Sequence, residues 1–336
     1  MRTRSRLGAS ACLAVLALGT VALADSWKRV GDPGEQMFAE TFRLPKGGEI
    51  AVKLGDADLE LVRAAGRESA VEVYVRARKP EKAREYFEKM RFSAKLEKDA
   101  LRIEAPGPSW RDGGFWNDHG GMRVIVVVSV PDGGVLRART GDGDIRAEAI
   151  AGDISLSTQD GDIDVAGLSG PSVALHTSDG DVTGEDIRAD RAEIGTSDGD
   201  LGIRDVEVET LSMRTSDGDI TAERVVAREI EVKSSDGDVR LSAVEGAVKA
   251  RTSDGDIRLV LAKAAAVDVR ASDGDVTIVI PSDAGVTLDL KAERVSVSNA
   301  SVKGDLSEHH FAGTIGKGGP TIAVRSMGGS VSLDVR

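Results

Sequence analysis

From Thr140 onward the chain alternates apolar and polar residues in short runs that restart every eighteen or nineteen positions. An Asp-Gly-Asp tripeptide separates one run from the next, its first aspartate at 142, 160, 179, 198, 217, 236, 254 and 273. A short fixed period is the signature of a solenoid. Counted from that aspartate, the fourth position reads Ile145, Ile163, Val182, Leu201, Ile220, Val239, Ile257 and Val276. The ninth reads Ile150, Leu168, Ile187, Val206, Val225, Val244 and Ala262. Two later apolar rows follow, one from Ile154 to Val286 and one from Leu156 to Leu288. After them comes a hydroxyl row: Thr158, Thr177, Thr196, Thr215, Ser234 and Thr252. Alternation of period two on both sides of a turn marks strands with one buried face.

Each coil thus reads as strand, arc, strand and DGD turn, stacked in parallel at about 4.8 Å per coil. A single coil cannot bury its own face, so its neighbours supply the core. No aromatic residue lies between Asn117 and His310, which makes the interior a thin aliphatic sandwich. The expected fold is all-β, a parallel β-solenoid of about eight coils over residues 140–290.

The flanks follow other patterns. In residues 25–139, MFAETFRLPKGGEIAVKL, DADLELVR and SAVEVYVRAR read as three strands. PEKAREYFEKM is a helix, opened by proline and carrying Ala83, Tyr86, Phe87 and Met90 at helical spacing. RFSAKLEKDALRIEA reads as a hairpin and MRVIVVVSV as a buried strand. This β-rich region with one helix is expected to cap the open end of the solenoid, where strand edges would otherwise be unpaired. Residues 291–336 hold further strands and a second cap, with glycines where the DGD turns had been.

Residues 1–24 carry Arg2, Arg4 and Arg6, then an apolar stretch, then Ala22-Leu23-Ala24, the layout of a cleaved secretory signal peptide. Its apolar run is short for a retained membrane anchor. Cys12, the only cysteine, falls inside the leader, so the remaining chain has no disulfide and no thiolate nucleophile. The formal net charge of −12 becomes more negative still without the three leader arginines. Such acidity argues against nucleic acid and against anionic lipid surfaces as partners. The expected location is outside the cytoplasm, in the periplasm, at the cell surface or secreted.

Four segments together, FRLPKGGEIAVKL, VSVPDGG, the iterated TSDGDI and FAGTIGKGGPTIAVRSMGGSVSLDV, resemble the bacterial putative-adhesin family of β-strand-repeat proteins, a domain of unknown function. The likeness spans about residues 37–336. It implies an exported, non-catalytic β-solenoid of the cell envelope that presents a stiff surface for adhesion or scaffolding. Family members often carry Ser-Gly or Asn-Gly at the turn, so the fold the resemblance implies does not depend on the carboxylates.

The DGD turns have two readings. As corners, glycine supplies a positive φ and aspartate accepts a hydrogen bond from its own backbone two residues on. As a site, two files of carboxylates repel along the stack and call for a counter-charge. In the later coils Arg214, Lys233, Arg251 and Arg270, with Arg240 and Arg258, are expected to supply it. The earlier coils have Ser157, His176 and Gly195 instead, so Asp142, Asp144, Asp160, Asp162, Asp179, Asp181, Asp198 and Asp200 are the candidate ligands of a weak calcium site. On that alternative the protein is a calcium-responsive binding module, and no other cofactor is expected. The nonapeptide β-roll repeats its acidic turn on both sides of each coil; here the second arc reads irregularly, so any cation site is one-sided.

The remaining chemistry is sparse. The loop SWRDGGFWNDHGG places Trp110, Phe115 and Trp116 between two strands, as a contact for an envelope protein or polysaccharide or as a cover for the solenoid end. His119, His176, His309 and His310 show no metal-ligand spacing, and the adjacent pair reads as a solvated turn. Paired carboxylates can act on glycosidic bonds, but here every coil repeats the same pair, and no enzymatic activity is expected.

Overall fold

The computed structural model describes residues 34–107 and 122–336. The chain winds into a parallel β-solenoid. Strands that precede a DGD turn stack in one file, and strands that follow it stack in another. In the middle coils Val182–Gly195, Leu201–Arg214, Ile220–Lys233 and Val239–Arg251 each run as one long strand through both files. The fourth-position residues stack directly on one another, Leu201 on Ile220 on Val239 on Ile257. Ile220 and Val239 are fully buried, and such a side chain contributes about 1.5–3 kcal/mol.

The second arc is more regular than its sequence suggests. Ala149, Gly167, Asp186, Asp205, Arg224 and Ala243 occupy the same position in six successive coils, all with φ between 53° and 68°. One left-handed residue per coil bends the strand from one file into the other. Five of these six are not glycine, which hid the pattern. One core expectation also shifts: Leu261, not Ala262, pairs with Val244, and Ala262 is exposed because the register slips after Leu241.

At both ends the order of strands in space departs from their order in sequence. The coil made by Glu49–Leu54 and Asp58–Arg63 lies between two later ones. Ala100–Ala105 and Arg123–Val130 flank it on one side, Gly134–Arg139 and Ile145–Glu148 on the other. The C-terminal coil, Thr321–Ser326 with Ser330–Val335, inserts in the same manner. Its neighbours are Val267–Ala271 with Val276–Ile280, and Val286–Lys291 with Arg294–Ser298. Each terminal coil is therefore held from above and below.

Antiparallel strands then finish the stack. Glu68–Arg76 lies against Arg123–Val130, with Glu35–Arg43 beyond it. Ser93–Glu97 closes the other file at that end, and His310–Ile315 with Val302–Leu306 closes it at the far end. The first predicted strand is in fact two: it breaks after Arg43, its first half joining the antiparallel cap and its second half the parallel stack. The helix spans Pro80–Met90 as expected and buries Ala83, Tyr86 and Met90. Phe87 is half-buried, its ring 6.0 Å from Phe92, which in turn lies 4.8 Å from Phe38.

Candidate functional site

The DGD edge is bound together by three sets of hydrogen bonds between coils. First, the hydroxyl row is buried. Thr177 Oγ1 donates to the carbonyl of Gly161 at 2.9 Å and accepts the amide of Gly180 at 3.3 Å. Thr196 and Thr215 repeat this geometry one and two rungs on. Second, the amide of each first aspartate shares a carbonyl of the previous rung with the residue before it, as Ser178 and Asp179 share Gln159.

Third, the second aspartates form a ladder. The amide of Asp162 donates to Oδ1 of Asp144, Asp181 to Asp162, Asp200 to Asp181 and Asp219 to Asp200, at 2.8–3.1 Å. Asp238, Asp256 and Asp275 continue it at 2.8–2.9 Å. It starts on Asp58, which accepts from Asp144 at 3.2 Å, and ends where Ser330 donates to Asp275 at 2.7 Å. The accepting carboxylate belongs to the coil before, which corrects the expectation of a bond within one turn. A hydrogen bond to a charged acceptor is worth about 1.5–3 kcal/mol. Each rung's amide thus opposes the repulsion between neighbouring carboxylates.

The glycines have a different role from the one expected. None of the DGD glycines has a positive φ. They are required by proximity: a Cβ on Gly180 would lie 2.0 Å from the carbonyl oxygen of Gly161, and one on Gly218 1.8 Å from that of Gly199. No side chain fits between turns stacked this closely. Ser326-Met327-Gly328-Gly329-Ser330 forms a further rung of this edge, with a hydroxyl and a glycine but no carboxylate.

The counter-charges are also rearranged. Among the described residues Arg240 alone bridges two rungs of this file, to Oδ2 of Asp219 at 2.7 Å and of Asp238 at 2.6 Å. This pair holds the Asp219 carboxyl below its usual range. Arg214, Lys233 and Arg270 instead pair with Glu193, Glu231 and Asp268. Their row lies on the outer face of the file that precedes the turn, and the ladder amides take over the neutralising role expected of them.

Of the candidate calcium ligands, Asp144, Asp162, Asp181 and Asp200 each spend Oδ1 on an amide. Asp142, Asp160, Asp179 and Asp198 are exposed. Among the described residues no three His, Cys, Asp or Glu side chains converge as metal ligands. Trp110, Phe115, Trp116 and His119 lie outside the described residues, as do residues 1–33. His176 is exposed. The histidine pair is not simply a solvated turn: His309 Nδ1 lies 2.5 Å from the Glu293 carbonyl, and His310 Nε2 lies 2.9 Å from Asp289 in an antiparallel strand.

One groove went unread in the sequence. It has a volume of about 760 Å³ on the outer face of the file that follows the turn. At its end Glu60 is only 7 % exposed. Arg146 spans Glu60 and Asp164 at 3.5 and 3.4 Å, and Arg123 holds Asp58 at 2.6 Å. Burial pushes the Glu60 carboxyl up, with Arg146 opposing. Gly55-Asp56-Ala57-Asp58 was the available signal: it is the DGD turn with alanine in the middle, stacked directly under Asp142–Asp144.

Three solved structures align with the chain over nearly their whole length. A putative adhesin from Parabacteroides merdae is 11 % identical, with 89 % of this chain and 96 % of that one covered and a TM-score of 0.44. A putative adhesin from Parabacteroides distasonis is 14 % identical, with 90 % and 98 % covered and a TM-score of 0.39. A putative lipid binding protein from the same species is 13 % identical, with 89 % and 97 % covered and a TM-score of 0.42. No curated protein matches the sequence. The Toastrack DUF4097 family matches residues 48–224 and again 194–334. Those two spans run from the interleaved N-terminal coil to the interleaved C-terminal one, and the chain belongs to the Toastrack DUF4097 family.

Proposed function

We propose that the chain is exported and works without catalysis at the cell envelope, as a stiff β-solenoid whose outer rows present a surface for adhesion or scaffolding. The observation that carries this reading is where the turn chemistry goes. Hydroxyls and second aspartates are bound into contacts between coils, and the exposed first aspartate recurs from rung to rung. An edge of recurring rungs suits an extended partner better than a single small substrate. The basic, apolar and small-residue order of residues 1–24 supports export. Among the described residues no helix is long and apolar enough to cross a membrane.

Fractionation of cells producing the chain, with mass spectrometry of its N-terminus, tests export. A product retained uncleaved in the cytoplasm would end that part of the reading. Pull-down from envelope fractions, with and without calcium, tests presentation. The calcium-responsive alternative rests on the exposed first aspartates and the remaining Oδ2 atoms. A partner retained only in the presence of calcium would favour it.

A further inference from the structure

The row that the sequence offered as counter-charge for the DGD turns is a continuous cationic ladder. Arg214 stacks on Lys233, Lys233 on Arg251, Arg251 on Arg270, Arg270 on Arg325, and Arg325 on Lys291. Only the tertiary structure completes it, because Arg325 arrives from the C-terminal coil inserted between the coils of Arg270 and Lys291. All six face outward, and like charges directly opposite in a sheet are destabilising. Folding therefore gains nothing from the alignment itself.

Local acids neutralise the row only in part. Glu231 is shared by Lys233 at 2.5 Å and Arg214 at 3.8 Å, and Asp289 by Arg325 at 3.4 Å and Lys291 at 3.8 Å. Glu193 and Asp268 take Arg214 and Arg270. Among the described residues Arg251, at the centre, has no ion pair within 4.0 Å. Beside the cations runs a parallel row of hydroxyls, Ser216, Ser235, Ser253 and Ser272, and these serines with the five cations from Arg214 to Arg325 line one groove of about 740 Å³.

We propose that this groove is the track for a linear anionic polysaccharide with a carboxylate on every ring or every second ring. The proposal rests on the reading of the chain as a surface-presenting solenoid and names the class of partner. An extended sugar chain advances by roughly one strand spacing per ring, so its carboxylates, one per ring or one per two rings, meet every rung or every second rung of a ladder stepped at about 4.8 Å. Ring hydroxyls then face the serine row. Duplex DNA carries a charge every ~1.7 Å, too dense for one cation per rung on a protein of net charge −12. A flat anionic membrane would also meet the aspartate files beyond the serines.

The test is binding of the purified chain to polygalacturonate at low ionic strength, with dextran, single-stranded DNA and phosphatidylglycerol vesicles as the other arms. Wild type should bind polygalacturonate, lose it as salt rises, and ignore dextran. Replacing Lys233, Arg251 and Arg270 together by serine should weaken binding by roughly tenfold or more, with thermal stability kept or raised. Replacing three exposed cations off the ladder, Arg43, Lys53 and Lys95, by serine alters net charge equally and should leave most of the affinity. Equal losses in the two triple variants, or no wild-type binding at low salt, overturn the proposal. Tighter binding to DNA or vesicles replaces the glycan with that class. If envelope pull-down returns a protein partner while polygalacturonate fails, the glycan track is wrong and the scaffold reading survives.

Discussion

The amide of Asp238 donates to Oδ1 of Asp219, nineteen residues earlier, at 2.9 Å. Repeated from Asp58 to Ser330, that contact gives the second aspartate of each turn a structural task. The carboxylate acts as a hydrogen-bond acceptor placed where no strand carbonyl reaches.

Asp200 separates hydrogen bonding from charge, because Arg240 bridges only the two rungs beyond it. Asp200→Ala leaves the Asp219 amide without its acceptor and should cost about 1–2 kcal/mol. Asp200→Asn keeps an Oδ1 and removes a like charge, so its stability should stay within about 0.5 kcal/mol of wild type. Urea titration of both variants decides. Equal losses would mean that charge, not the amide bond, gives the file its value. The same titrations repeated in millimolar calcium should show no shift for wild type or either variant. A calcium-dependent rise lost in Asp200→Asn would establish the cation site.

Two glycines in neighbouring coils should respond in opposite directions. Gly218→Ala drives a methyl group to within 1.8 Å of the Gly199 carbonyl, and the stack must open at a cost of about 3 kcal/mol or more. Gly202 sits in a strand where a Cβ would meet nothing within 4 Å. Gly202→Thr should stabilise by about 0.5–1 kcal/mol, since a strand interior disfavours glycine. Thermal melting of the pair is sufficient; a tolerated Gly218→Ala would remove close stacking as the reason for the motif.

Ala243 is held at φ 53° on the exposed second arc. Left-handed backbone strains a residue with a Cβ by about 1–2 kcal/mol, and glycine relieves it while loosening the unfolded chain by less. Ala243→Gly should therefore stabilise by about 0.5–1 kcal/mol, whereas Ala247→Gly, in the same strand at ordinary φ, should destabilise. A loss at Ala243 would contradict the arc geometry.

Acid should act on two carboxyls in opposite senses. Arg240 depresses Asp219 below its ordinary value of 3.8, so the stability it provides is complete above that pH and is lost as pH falls through the lower folded value. Asp219→Asn should flatten that acid limb. Burial raises Glu60 above 4.5, so ionised Glu60 opposes folding at neutral pH, and this is relieved as pH falls through the raised folded value toward 4.5. Glu60→Gln should therefore stabilise at pH 7 and lose its advantage below pH 4.5. Stability curves from about pH 3 to about pH 8 read both; an advantage for Glu60→Gln that persists at the acid end would show that packing, not ionisation, is responsible.

The nineteen-residue period determined the coil, the parallel stacking and the buried rows, because an inward position in a solenoid stacks on the same position of the coils above and below. Thr177, Ile220 and Gly180 could be placed from that period alone. The helix at Pro80–Met90 was likewise local information, carried by its proline and its spacing. What the period could not carry was contact between residues that are not a constant distance apart. Arg325 joins Arg270 across fifty-five residues, and Asp58 accepts from Asp144 across eighty-six, because the terminal coils insert out of order. The reason for glycine was tertiary as well. A carbonyl from the neighbouring turn excludes a side chain at Gly180, whereas the left-handed turn of each coil falls to Asp205, Arg224 and Ala243, residues whose identity gives no sign of it. Which charges meet was settled last, since an outward side chain chooses among neighbours on both adjacent rungs, and only the folded register brings Arg240 between Asp219 and Asp238.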